Sequence, residues 1–153
     1  MYYSGLEIIE IAVRIEENGY AFYNAAAGMI SEQNDNKALF LDLAEKEMVH
    51  IAIFQKLASK FEAEQFELNP EDEIDYVNHL ADTHIFGKKD AGATLAKTIQ
   101  TPQDALKIAL RFENESVAFY SELLKRTQTD AKKLIQQIID EEKEHAAEIS
   151  QFI

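Results

Sequence analysis

A segment near the start of this chain returns in its second half. Arg14-Ile15-Glu16-Glu17-Asn18-Gly19-Tyr20-Ala21-Phe22-Tyr23 aligns with Arg111-Phe112-Glu113-Asn114-Glu115-Ser116-Val117-Ala118-Phe119-Tyr120. Glu47-Met48-Val49-His50 aligns in the same way with Glu142-Lys143-Glu144-His145. Both pairs lie in stretches whose apolar residues recur at 3-4 spacing, the period of one helical face. Two copies of one helix hairpin can bury their apolar stripes by packing on each other. The result is a four-helix bundle with approximate twofold symmetry.

The punctuation agrees. Five Gly and two Pro are too few turn formers for a sheet of many hairpins. The periodicity predicts helices over about 3–30, 32–61, 71–85, 102–126 and 130–152. Ser31 is the expected N-cap of the second helix. Asn69-Pro70-Glu71 and Thr101-Pro102 each combine a cap with proline at the first helical position. Gly87 is placed to close the third helix, and a helical turn is expected around Ala93–Lys97. The connector from about 62 to 101 is too long for a tight turn. It reads as a crossover holding the short third helix, which lets the second and fourth helices run parallel. With 153 residues, the whole chain, 1–153, is expected to form one domain.

The helical seams carry an anomaly. The first reads Leu6, Ile9, Val13, Glu16, Tyr20, Tyr23, Ala27, Ile30; the second reads Phe40, Leu43, Glu47, His50, Phe54, Leu57. The fourth reads Leu106, Leu110, Glu113, Val117, Tyr120, Leu124; the fifth reads Ala131, Ile135, Ile138, Glu142, His145, Ile149, Phe152. Each is apolar except near its middle. A buried, ionised carboxylate costs several kcal/mol unless it is paired or bound to a metal. Four at one level of a bundle would repel one another, and the seams hold no Lys or Arg. Arg14 and Arg111 each stand two residues before a seam Glu and so face elsewhere. Protonation or bound cations are the remaining remedies. Glu-x-x-His sets both side chains on one helical face, within reach of one ion.

A Glu from each of two helices and Glu-x-x-His from each of the other two is the ligand pattern of the ferritin-like di-iron carboxylate bundles. The count of two ions is taken from that pattern. Two divalent ions would balance the four carboxylates Glu16, Glu47, Glu113 and Glu142, with His50 and His145 neutral. The carboxylate and imidazole set suits Fe, with Mn or Zn as substitutes. Tyr23 and Tyr120 fall two turns beyond Glu16 and Glu113 on the same faces. They are placed to hydrogen-bond a ligand carboxylate, to shield the site from oxidising equivalents, or to pack as core aromatics. His79 and His84, five residues apart, share no face and read as structural. Glu17, Glu115 and Glu144 lie off the seams and are expected to be solvated.

The composition excludes several other functions. There is no cysteine, hence no disulfide, thiolate zinc site, iron–sulfur cluster or thiol nucleophile. Fifteen Lys and Arg against 28 Asp and Glu give a net charge of −13. That balance argues against nucleic acid or an anionic membrane surface as partner. No apolar run is long enough to span a membrane and no signal peptide opens the chain, so the expected location is the cytoplasm.

The residues also resemble the rubrerythrin family of the ferritin-like superfamily. The resemblance rests on Ile15-Glu16-x-x-Gly19-x-x-Phe22-Tyr23, Glu47-x-x-His50 and Leu80-Ala81-Asp82-Thr83-His84-Ile85-Phe86. It continues through Ala105-Leu106-x-x-Ala109-x-x-Phe112-Glu113-x-x-Ser116-x-x-Phe119-Tyr120 and Ile139-Asp140-Glu141-Glu142-Lys143-Glu144-His145. It implies an all-α, ferritin-like bundle whose di-iron centre reduces hydrogen peroxide to water. Glu16, Glu47, Glu113, Glu142, His50 and His145 would be the ligands. Two departures stand out. Full-length relatives add a cysteine-ligated rubredoxin domain that delivers electrons, so here the donor would be a separate, rubredoxin-like protein. Typical members also place an extra Glu three residues after the third carboxylate ligand, where this chain has Ser116. A homodimer is expected by the same analogy. The same ligand set also serves di-iron hydroxylases and oxidases using dioxygen, and ferroxidase or iron-storage proteins. A metal-free structural bundle is the fourth alternative.

Overall fold

The computed structural model describes residues 5–31, 33–64, 74–127 and 131–153. Among them the chain is helical, in the order α1 (Gly5–Gly28), α2 (Asp35–Glu64), α3 (Ile74–Thr83), α4 (Ala91–Ala96), α5 (Pro102–Arg126) and α6 (Ala131–Ser150). None of these helices is long and apolar enough to cross a membrane.

Short connections make α1 and α2 one antiparallel hairpin and α5 and α6 another. Side-chain contacts fix how the hairpins meet. Lys46 on α2 pairs with Glu148 on α6, whereas His50, one turn further along α2, meets Glu141, two turns earlier on α6. Those two helices are therefore antiparallel, which leaves α2 and α5 parallel, as the long crossover requires.

Some local signals hold in the fold and others shift. Thr101 caps α5 in a full capping box: its side chain accepts the Asp104 N–H at 3.2 Å, and the Asp104 carboxylate accepts the Thr101 N–H at 3.0 Å. The expected cap at Ser31 is displaced. Helix α2 begins at Asp35, and it is the Asn34 side chain that accepts the Asn36 N–H, at 2.9 Å. Ser31 instead closes a turn in the loop, its carbonyl accepting the Asn34 N–H. The Asn69-Pro70 cap lies outside the described residues. The turn expected around residues 93–97 is α4, which opens behind Asp90 in the left-handed region at φ 60°, a conformation Asp tolerates.

The crossover is fastened to the bundle by polar side chains beside the anomalous seams. The Asn18 amide donates to the carbonyls of Phe86 at 2.7 Å and Lys88 at 2.8 Å, and its oxygen accepts the Gly92 N–H at 3.2 Å. Gly92 is required there: a Cβ would stand 2.0 Å from the Asn18 carbonyl oxygen. Glu115 accepts the Ile85 N–H at 3.0 Å, so it ties down the crossover and is not simply solvated. Arg14 donates to the Gly87 carbonyl and Arg111 to Glu115, so both guanidinium groups face away from the seam acids. Phe86 then inserts between the hairpins, its ring centroid 4.8 Å from that of Phe112 and 5.4 Å from that of Phe22. Burying such a ring is worth roughly 1.5–3 kcal/mol.

The seams are buried nearly as expected. Phe40, Leu43, Phe54, Leu57, Leu106, Ile135, Ile138 and Ile149 are all core residues. Leu6, Val13, Leu110, Val117, Leu124 and Phe152 are only partly buried, and Tyr20 stands at the surface. Its place against α5 goes to Gly19, where an added Cβ would lie 2.5 Å from the Phe112 ring.

Candidate metal centre

Four helices converge at mid-height on six polar side chains. Helix α1 contributes Glu16, α2 contributes Glu47 and His50, α5 contributes Glu113, and α6 contributes Glu142 and His145. None is more than 2% exposed. The six form two overlapping clusters, Glu16–Glu47–His50–Glu142 and Glu47–Glu113–Glu142–His145, each with ligand atoms within 4.8 Å of one another.

The sharing is specific to atoms. His50 Nδ1 lies 3.4 Å from Glu16 Oε2, 3.7 Å from Glu47 Oε2 and 2.8 Å from Glu142 Oε1. His145 Nδ1 lies 3.6 Å from Glu47 Oε1, 3.5 Å from Glu113 Oε1 and 3.7 Å from Glu142 Oε2. Glu47 and Glu142 thus turn one oxygen to each cluster, the disposition of bridging carboxylates, while Glu16 and Glu113 each serve one cluster. The imidazole rings are stacked with centroids 5.7 Å apart.

The interior leaves these groups unsatisfied. Six carboxylate oxygens (one each on Glu16 and Glu113, both on Glu47 and Glu142) and both Nδ1 atoms are buried without a hydrogen-bond partner. Native interiors pair more than nine in ten buried polar groups. Orphans concentrated on one point, all of them oxygen or imidazole donors, fit divalent cations.

Without cations, the cluster must redistribute protons. Burial and then the charges of Glu16 and Glu142 push the Glu47 carboxyl well above its usual range. Burial and then the Glu142 charge raise Glu113 in the same way. Burial also acts on Glu142, but the adjoining Glu113, His145 and His50 side chains outweigh it and hold that carboxyl low. His50 is raised because the Glu142, Glu16 and Glu47 carboxylates beside its Nδ1 overcome the burial penalty. His145 is pushed up to about 10, where burial is outweighed by Glu113 and Glu142. Both shifts favour the protonated imidazoles in the metal-free cluster, and a bound metal would displace those protons.

The two tyrosines cross between the repeats. Tyr23 on α1 donates its hydroxyl to Glu113 Oε1 at 2.5 Å, and Tyr120 on α5 donates its hydroxyl to Glu16 Oε1. Each fixes the carboxylate of the other hairpin and leaves that carboxylate's Oε2 free. Burial and then the Glu113 charge raise the Tyr23 phenol; burial and then the Glu16 charge raise Tyr120. Both stay protonated donors.

Two further groups were not evident as site residues. His84 is buried, with Nδ1 accepting the Phe86 N–H at 3.0 Å and Nε2 3.0 Å from Ser116 Oγ. That pattern fixes the neutral tautomer with hydrogen on Nε2, and burial lowers the ring to about 3. Ser116 is thus engaged by the crossover. The second is Glu141, whose Oε2 lies 2.7 Å from His50 Nε2. It stands next to a seam acid, and no periodicity marks it. Only the convergence of α2 and α6 does.

Comparison with known proteins agrees with this geometry. A structure of a ferritin-like diiron-carboxylate protein from Thermotoga maritima superposes with a TM-score of 0.72 at 24% identity, covering 99% of this chain and 95% of the other. At that identity the likeness speaks for the fold. No curated protein sequence matches. The Rubrerythrin family profile matches residues 7–153. The chain therefore belongs to the rubrerythrin family.

Proposed function

We propose that the chain is a di-iron redox protein that reduces hydrogen peroxide, with electrons arriving from a separate donor protein. The observation that carries the reading is the set of eight buried, unpartnered donor atoms on six side chains, arranged as two clusters with two shared carboxylates. Two iron ions bound there would each give one electron, the pair that one hydrogen peroxide needs, with two protons, to become two waters.

The chain's own residues supply the rest. Glu47 and Glu142 each turn one oxygen to either cluster and would help to hold an ion in both. Tyr23 and Tyr120 clamp one oxygen of Glu113 and of Glu16, which sets the direction of the other. The surrounding rings, with Tyr23 against Phe40 at 5.8 Å and Tyr120 against Phe54 at 4.9 Å, exclude water from the carboxylates. Exclusion of water strengthens every electrostatic interaction within. These 153 residues hold no cysteine, so the reading draws its electrons from a separate donor. A rubredoxin-like partner, a homodimeric state and a cytoplasmic role in oxidant defence belong to the same reading.

The test is anaerobic loading with Fe(II), then a single equivalent of hydrogen peroxide. The reading requires two irons per chain, the near-ultraviolet absorption of ferric iron, and consumption of one peroxide per two irons oxidised. Preference for dioxygen with turnover of an organic substrate would replace it with an oxidase or hydroxylase. Accumulation of many irons per chain would replace it with storage.

A further inference from the structure

The two clusters offer inner donors of the same residue types, although Glu16 turns its free oxygen toward His50 and Glu113 turns its phenol-bonded oxygen toward His145. Each has the shared Glu47 and Glu142, one further Glu held by a tyrosine, and one histidine presenting Nδ1. The larger break in symmetry stands behind the histidines. His50 Nε2 meets the Glu141 carboxylate at 2.7 Å. His145 Nε2 has no hydrogen-bond partner among the described residues.

The repeat gives the reason. In the alignment that pairs Glu142 with Glu47 and His145 with His50, Glu141 corresponds to Lys46. One half has an anion at this position and the other a cation. Lys46 is occupied elsewhere, with Asp42 at 2.8 Å and Glu148 at 3.4 Å. Glu141 is itself held, its Oε1 accepting the Gln137 side-chain N–H at 2.9 Å. A carboxylate that accepts the outer N–H of a ligand histidine fixes the ring and its tautomer and makes the inner nitrogen a stronger donor.

We propose that Glu141 is a positioning residue that makes the two metal positions unequal: the His50 position fills first and holds its ion, and the His145 position is the weaker, exchangeable one. This rests on the metal-centre reading above and not on which oxidant the centre meets. A permanent ion beside a labile one gives the site an asymmetry that its ligand list hides.

The experiment is calorimetric titration of the full, metal-free chain with Zn(II), together with long-range nitrogen–proton NMR of the histidine rings. Wild type should bind two ions in separated steps, and one equivalent should shift the His50 Nδ1 resonance and leave that of His145 in place. Glu141→Gln keeps the shape and loses the charge; Glu141→Ala loses both. Each should weaken the tight step by about 10- to 100-fold, the usual effect of losing such a partner, with the alanine variant weaker than the glutamine. The weak step should move only about twofold, as follows when one of two competing positions is weakened. At one equivalent both histidines should then shift partially. Glu141 is about a third exposed, its side chain at 34%, so the variants should fold, which circular dichroism of the metal-free forms checks. Equal loss in both steps, unchanged steps, or an early His145 shift would overturn the proposal while leaving the metal centre intact. Failure of wild type to bind Zn(II) at all would overturn both.

Discussion

The strongest consequence of a cluster built for cations is that it weakens the protein without them. Glu47 tests this most directly. It is fully buried, both its oxygens lack partners, and burial together with neighbouring carboxylates keeps it protonated when no metal is present. Glu47→Met replaces a neutral carboxyl by an apolar chain of similar size and strands no opposite charge. Each orphaned polar atom costs on the order of 1–3 kcal/mol. Relieving two, less up to about 1.5 kcal/mol for imperfect repacking, leaves a gain of about 2 kcal/mol. For a chain of this size that raises Tm by about 4–8 °C. The assay is urea and thermal unfolding in chelator, with the urea m-value unchanged. Adding Fe(II) anaerobically should reverse the order. Wild type gains about 2.7 kcal/mol per site at a hundredfold excess over Kd, and the variant, missing a bridging ligand, gains much less. A Met variant less stable than wild type in chelator would refute the reasoning, because Glu47 would then be serving the fold.

Other outcomes follow from the same geometry. Tyr23→Phe and Tyr120→Phe each strand a carboxylate oxygen, and each should cost about 1–3 kcal/mol in chemical denaturation; a neutral result would mean the hydroxyls do not hold Glu113 and Glu16. In chelator, stability should fall as pH rises. Glu47 and Glu113 are raised, so folding stability declines from above the ordinary carboxylate range upward. His145, raised to about 10, adds stability that is full below about 6.5 and gone above about 10. Denaturation midpoints from pH 5 to 10 should descend, and a maximum near pH 8 would contradict the proton assignment. Gly92→Ala drives a Cβ into the Asn18 carbonyl. Amide exchange in α4 should accelerate by at least tenfold while α6 keeps its protection.

Much of this protein is legible in its sequence because its two repeats carry the same signal twice. The seams mark the buried faces of four helices, and the four acids and two histidines interrupting them are the six side chains of the cluster. That succeeds because helical periodicity is local: residues three and four apart share a face whatever the helix packs against. Signals that rest on one residue did less well. Ser31 is a good cap by type, yet Asn34 begins the helix, since either side chain can bond a nearby N–H and the loop decides between them. Tyr20 fits the spacing but lies outside, because a glycine lets Phe112 approach the next position.

What the sequence could not decide is everything that depends on distance between helices. It put Tyr23 and Tyr120 on the faces of Glu16 and Glu113, but each phenol bonds the acid of the other hairpin. It left His84 and Glu115 without a role, and the folded crossover joins them to Ser116 and Ile85. It gave no sign that Glu141 and Lys46, matched by the repeat, end in opposite surroundings. Sequence determined which side chains share a helical face. Only the packing of α1, α2, α5 and α6 determined which atoms meet, because a hydrogen bond is settled by tenths of an ångström between elements dozens of residues apart.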